Sequence, residues 1–240
     1  AEVGIYSIAS YFAVMITLPG RSVSKISIPF LAESWKNNDL EKIDDMYVRT
    51  SVSQYAVGLL IFIGLLVNID NIFRLLPDVY SKSAAVIILI SFGNLVSGSA
   101  GINGVVLSTS SLYRYQTWLM FILIGLFVGT SMLFIPLFGI TGAALAAMIS
   151  NIIYSMLGVL LAGKRFGLWP YSMVHLRITL VGLVAMAAGY IMPQMALIPD
   201  VLIRSVLVTL IFTAGVWFWK LSDDLTGLAE SLMERIRRKQ

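Results

Sequence analysis

Two cations, Arg21 and Lys25, stand four residues apart in a largely apolar stretch, just after a Pro19-Gly20 pair. On a helix that spacing puts both on one face. Arginine meets phosphate oxygens through a planar fork and lysine meets them as a point charge, so the pair suits an anionic group. Pro19-Gly20 would break or loosen the helix carrying them. A plainer reading stays open: if the apolar run ends at Leu18, both cations are ordinary charges flanking a membrane span. Against that, the stretch from Ile26 to Ala32 is apolar again.

The uncharged polar residues deep in apolar runs are Gln54, Asn94, Asn103 and Asn151. Each could line a polar cavity by hydrogen bonding, but such residues more often tie helices together, at roughly 0.6–2 kcal/mol apiece. Asn103 is the best cavity candidate, because Gly98, Gly101 and Gly104 crowd around it. Those glycines imply either a close helix contact or an unwound segment. Other chemistry is missing. With no cysteine in the chain, disulfides, thiolate metal sites and cysteine nucleophiles are excluded. His175 is the only histidine, which rules out histidine-cluster metal sites. No nucleophile–base pair, metal-ligand cluster or phosphate-binding glycine loop is visible, so the sequence predicts a protein that is not an enzyme and needs no cofactor.

The elements that position these residues follow from composition. Apolar residues make up 58% of the 240 and charged residues 12%, against roughly 45–50% and about 25% in soluble domains. Such a chain has too little polar surface to face water and must use lipid as its solvent. The fold class expected is an all-α integral membrane protein, a bundle of about seven transmembrane helices over residues 1–219. The spans read as 3–33, 50–69, 83–107, 116–135, 140–162, 176–193 and 200–219. A bilayer core about 30 Å thick needs ~20 helical residues, so the first and third spans must tilt, kink or project.

Basic residues set the orientation. With the segment after the first span inside, the inner set is Lys36, Lys42, Arg49, Arg114, Lys164, Arg165, Arg177, Lys220, Arg235, Arg237, Arg238 and Lys239, and the outer set is Arg74, Lys82 and Arg204. Twelve against three places Ala1 outside and Gln240 in the cytoplasm. The net charge of +4 thus reflects topology rather than nucleic-acid binding. An odd number of spans beginning outside predicts an upstream segment, hence the C-terminal part of a larger transporter. Two stretches read as interfacial or solvated. Asn38 to Tyr47 carries a capping pair, Asn38 and Glu41, and a stripe of Leu40, Ile43 and Tyr47. The basic tail 220–240 is amphipathic through Leu225, Leu228, Leu232 and Ile236, fit for an anionic cytoplasmic leaflet. Tyr6, Tyr11, Trp118, Trp169 and Trp217 lie near span ends, where they read as interface anchors.

From Ile135 to Ala146 the chain runs Ile-Pro-Leu-Phe-Gly-Ile-Thr-Gly-Ala-Ala-Leu-Ala. This resembles the turn late in polysaccharide flippases of the MOP (multidrug/oligosaccharidyl-lipid/polysaccharide) exporter superfamily. Pro136 is expected to stop one helix and Gly139 to permit a tight external turn, with Gly142 opening a small-residue face on the next. Val3-Gly4-Ile5-Tyr6-Ser7, Pro29, the polar stretch from Glu33 to Asp45 and the helix from near Tyr47 follow the family's order for spans eight to fourteen.

The resemblance implies one lobe of a MATE/MOP-like transporter in the bacterial inner membrane. It would flip a lipid-diphosphate-linked oligosaccharide by alternating access, for surface polysaccharide such as O-antigen, capsule or exopolysaccharide. Its partners would be that lipid-linked glycan, membrane lipids and the missing N-terminal half. The family's peptidoglycan-precursor branch places a cavity arginine five residues before the first proline, where this chain has Val14, so that branch is not expected. All thirteen acidic residues fall at helix ends or in loops, which favours an anionic over a cationic substrate. The substrate-binding set is then Arg21 and Lys25 first, with Asn103, Gln54 and Asn151. Pro19, Gly20, Pro136, Gly139 and Gly142 serve as breaks or hinges. The rivals are a multidrug or small-metabolite exporter of the same superfamily, a membrane-embedded glycan polymerase or acyltransferase, and a scaffold without transport.

Overall fold

A computed structural model describes residues 2–77, 80 and 84–219. The basic tail 220–240, together with Asp78 and Lys82, lies outside the described residues. Among those described, every regular element is helical. The helices are α1 (Glu2–Val14), α2 (Leu18–Lys36), α3 (Leu40–Val67), α4 (Ile69–Leu75), α5 (Ala84–Gly98), α6 (Asn103–Thr109), α7 (Tyr113–Phe166), α8 (Met173–Ile191) and α9 (Leu197–Phe218). Four of them, α3, α7, α8 and α9, are long and apolar enough to cross a bilayer. A fifth qualifies if α5 and α6, bent by 48° at their junction, are taken together. The protein is therefore all-α with the helices of a multi-pass membrane protein.

α3 is the spine. It starts ten residues before the expected span at 50–69, and the stretch from Asn38 to Tyr47 is largely its first turns rather than an interfacial helix. Ile43 and Tyr47 are fully buried against protein, and the cap is Asp39, whose carboxylate accepts the Lys42 N–H at 3.1 Å, not Asn38. An amphipathic stripe buries itself equally well against headgroups or neighbouring helices, and here the helices win. Further along, Val52, Ala56, Leu59, Ile63 and Val67 recur at helical spacing and pack on Ile178, Val181 and Ala185 of α8 and Val208, Phe212 and Val216 of α9. In lipid such contacts hold by close packing more than by expulsion of water. Accordingly, a Cβ on Gly182 or Gly189 of α8 would stand 2.8 Å from Leu59 or 2.6 Å from Val67.

The expected first span, 3–33, is two helices. The run stops at Val14 and restarts at Leu18, with Pro19 in the first turn of α2, where its missing N–H costs no hydrogen bond. The break therefore precedes Pro19-Gly20. Met15, Ile16 and Thr17 form tight turns back to Phe12, Ala13 and Val14. The third expected span, 83–107, is likewise interrupted between Gly98 and Asn103. There Gly101 adopts φ +58° with its α-carbon against the Ser51 backbone. The Ser51 hydroxyl on α3 donates to the Ser99 carbonyl that the break sets free, at 2.5 Å. α1 packs on α5 and α2 on α6, so two interrupted rods lie side by side. The Asn94 amide of α5 donates to the Ala13 carbonyl at 2.9 Å and ties the two at the break.

The expected spans 116–135 and 140–162 are the two helical limbs of α7, Tyr113–Phe166, which meet at a kink. Pro136 does not stop the helix, because it lies inside the run and forfeits only its own bond. The reversal happens three residues later at Gly139, with φ 56° and ψ −130°, a conformation open only to glycine at low cost. The two limbs lie antiparallel. The Thr130 and Ser150 hydroxyls are 3.1 Å apart and the Gln116 amide meets Tyr154 Oη at 2.8 Å, pairs that ~1.5 Å per residue would hold tens of ångströms apart in a straight rod. A Cβ on Gly142 would run into the Phe134 carbonyl. From Met120 to Gly139 no residue is buried, and Phe121, Ile124, Met132 and Leu133 are each at least 60% exposed. An element apolar on all sides and held along one is built for lipid. The expected spans 176–193 and 200–219 correspond to α8 and α9 with ends moved by about three residues.

Candidate functional site

The two broken rods and the spine enclose a cleft of about 590 Å³, lined at one side by Ile16, Thr17, Gly20, Arg21, Ser24 and Lys25 and at the other by Gln54, Gly58, Leu95, Ser97, Gly98 and Gly101. No carboxylate among the described residues lines it. Arg21 and Lys25 emerge from the first turns of α2, which Pro19 restarts, so the break itself aims them at the cleft. Neither side chain makes an ion pair or hydrogen bond among the described residues. Opposite them, Gln54 of α3 fits against Gly20, where a Cβ would stand 2.8 Å from its Oε1. The Gln54 Nε2 is buried and has no acceptor among the described residues. Unpaired cations and an unused amide donor around one space can receive an anion's oxygens. A binding space between discontinuous helices is also where irregular backbone is tolerated at membrane depth.

Of the residues singled out from sequence, the structure thus brings together Arg21, Lys25 and Gln54, with Gly20 beside them. It places the others elsewhere. Asn103 opens α6 but turns away from the cleft: its Oδ1 accepts the Tyr47 hydroxyl at 2.9 Å, and its amide nitrogen presses on Gly158. Asn151 lines a smaller groove between the limbs of α7, with Leu123, Ile124, Phe127, Ala147 and Ser150. Asn94 ties α5 to the break in the first rod. Pro136, Gly139 and Gly142 form the hairpin, remote from the cleft.

Two polar clusters have no counterpart among the residues singled out from sequence. In the first, the Asp200 and Arg204 side chains pair at 3.0 Å, 2% and 7% exposed. Asn71 of α4 donates to the second Asp200 oxygen at 2.5 Å. Arg204 also donates to the Gly189 carbonyl at 2.7 Å and the Met192 carbonyl at 3.3 Å, capping the end of α8. Arg204 is therefore a buried tie rather than an outer-loop charge, and Asp200 sits inside the packing. The i,i+4 spacing of opposite charges was the available signal. In the second cluster, His175 of α8 reaches Ser51 at 2.9 Å and stacks near Tyr55 and Tyr171, with ring centroids 5.3 and 5.6 Å away. Burial holds the Tyr171 phenol above its usual range, so it stays protonated. Among the described residues no group of histidines and carboxylates could hold a metal ion.

Fold and cleft together define the class, a multi-helix protein of the membrane with an acid-free cleft at paired helix breaks. Compared with known proteins, the chain matches no protein-family model, no curated protein and no solved structure.

Proposed function

We propose that the chain is one lobe of a membrane flippase that moves a lipid-diphosphate-linked oligosaccharide across the bacterial inner membrane by alternating access, for surface polysaccharide synthesis. The observation that carries this reading is the cleft: among the described residues, Arg21 and Lys25 have no partners, Gln54 Nε2 has no acceptor, and no carboxylate lines the space. In this reading the diphosphate rests on the cations, the glycan occupies the polar space, and the lipid tail stays in the bilayer. The chain crosses seven times, through α1–α2, α3, α5–α6, the two limbs of α7, α8 and α9. The end of α7 with Lys164 and Arg165 faces the cytoplasm, as the basic residues favour. A second lobe facing the cleft would complete the cavity. Nothing in the mechanism requires bond chemistry, and the protein acts as a transporter rather than an enzyme.

The test uses the purified chain in lipid nanodiscs and farnesyl diphosphate as the probe. Removing one charge-assisted hydrogen bond should weaken binding by about tenfold, so Arg21→Ala/Lys25→Ala should bind roughly 100-fold more weakly than the unaltered chain, with α-helical content retained. Equal binding by both proteins would overturn the proposal. Preference for a lipophilic cation over the diphosphate would favour a multidrug exporter instead.

A further inference from the structure

The His175 ring is wired in a way that fixes its proton. The Ser51 hydroxyl donates to the Ser99 carbonyl at 2.5 Å, and a carbonyl can only accept. Ser51 Oγ must then accept from His175 Nε2, 2.9 Å away. On the other side, the Ser172 backbone N–H donates to Nδ1 at 3.3 Å, and a backbone N–H can only donate. Both nitrogens are thereby assigned, Nε2 with a hydrogen and Nδ1 without.

A second proton on Nδ1 would set donor against donor at Ser172 and release the first turn of α8. The same ring holds Ser51, which in turn holds the free carbonyl of the α5–α6 break. Residues Ser97, Gly98 and Gly101 at that break line the cleft. The ring, the break and the cleft thus form one connected series of contacts.

The ionisable groups facing the ring are Tyr55 from α3 and Tyr171 from the 167–172 connection. On its own helix the nearest charge is Arg177, exposed, and on α3 it is Arg49, also exposed. Residues 84–112, which carry the break, contain no ionisable side chain. The charges of α9, Asp200 and Arg204, sit at the opposite end of α8, against Gly189 and Met192. Among the described residues no carboxylate contacts the ring, so protonation must be answered by a shift of the contacts around it.

We propose that His175 is a proton-binding site whose occupancy sets the geometry of the α5–α6 break, and through it the anion affinity of the cleft; the second half of this statement rests on the flippase reading. Proton binding breaks the Ser172 contact, turns the Nε2–H donation to Ser51 into a stronger charge-assisted bond that bears on the α5–α6 break, and adds positive charge near the cleft, so the anion is held more tightly at acidic pH.

As the sole histidine, His175 gives a single imidazole signal in the full chain labelled with isotopic histidine and purified without a histidine tag. Expected is the Nε2–H tautomer at pH 8 and a single titration step on acidification. Because the chain lacks cysteine, Ser97→Cys supplies a unique thiol at the break. Its labelling rate, divided by the rate in Ser97→Cys/His175→Gln at the same pH, should change at least threefold between pH 8 and pH 5. Farnesyl diphosphate affinity, normalised in the same way, should rise at least fivefold toward pH 5. An imidazole that does not titrate, or a flat labelling ratio, would overturn the proposal. Absence of diphosphate binding at every pH would instead defeat the flippase reading, leaving the titration and the labelling to decide the proton site. If His175→Gln does not fold, His175→Asn replaces it, and the titration needs no substitution.

Discussion

Gly101→Ala tests whether the break between α5 and α6 is imposed by packing against the spine. Two costs add at this position. At φ +58° a side-chain-bearing residue loses about 1–3 kcal/mol. In addition, the new Cβ would stand 2.7 Å from the Ser51 nitrogen and 2.8 Å from its α-carbon. These are backbone atoms of a continuous helix and cannot swing aside, so overpacking adds roughly 1–3 kcal/mol. The sum is about 2–6 kcal/mol. Gly139→Ala is the internal control. Its φ is +56°, but a Cβ there meets nothing within 4 Å, so only the strain applies, about 1–3 kcal/mol. A further variant sharpens the argument: Ser51→Gly removes the Cβ at 3.1 Å but leaves the closer nitrogen and α-carbon, so it should not rescue Gly101→Ala. The assay is unfolding of the purified proteins in mixed micelles as denaturing detergent is raised, followed by loss of helical signal. If Gly101→Ala is no less stable than Gly139→Ala, or if Ser51→Gly restores it, the break is not held against α3 in the way described.

The Asp200–Arg204 tie should behave as a coupled unit. Arg204→Met, which strands the carboxylate and uncaps the end of α8, should lower the thermal midpoint, and adding Asp200→Asn should recover most of the loss because no unpaired charge remains; equal losses in the single and double variants would contradict this. Topology is checked with Lys164→Cys, a unique thiol, which a membrane-impermeant maleimide should leave unlabelled in intact cells and label after the membrane is opened. Labelling from outside would invert the proposed orientation.

The apolar runs are legible because hydropathy alone sets them, and α8 and α9 fall within about three residues of their expected limits. The glycines at 98, 101 and 104 allow either a close contact or an unwound segment, and the structure has both at once: Gly101 is unwound because it lies against Ser51. Pro19-Gly20 announces a break but not its place, since proline at the start of a helix is a restart signal as much as a stop. Of the cleft, the two cations are legible from their spacing, and Gln54 is visible only as one polar residue among several. Nothing local distinguishes it from Asn103 or Asn151, because what makes it different is Gly20 on another helix. The His175 cluster is out of reach for the same reason: Ser51 lies 124 positions away in sequence. The stripe of Ile43 and Tyr47 is apolar as its spacing says, but periodicity alone does not tell a headgroup from a helix as the neighbour that covers it.

The hairpin reversed at Gly139 has a bearing on how the chain enters the bilayer. Two apolar rods joined by a tight turn can leave the aqueous phase together, each satisfying its own backbone before any tertiary neighbour arrives. Beyond Leu119 the leading rod answers mainly to its twin, so its outward residues are free to vary so long as they stay oily. Mutational tolerance should therefore change abruptly along one uninterrupted stretch of sequence, permissive from Met120 to Phe138 and strict again from Gly142 onward.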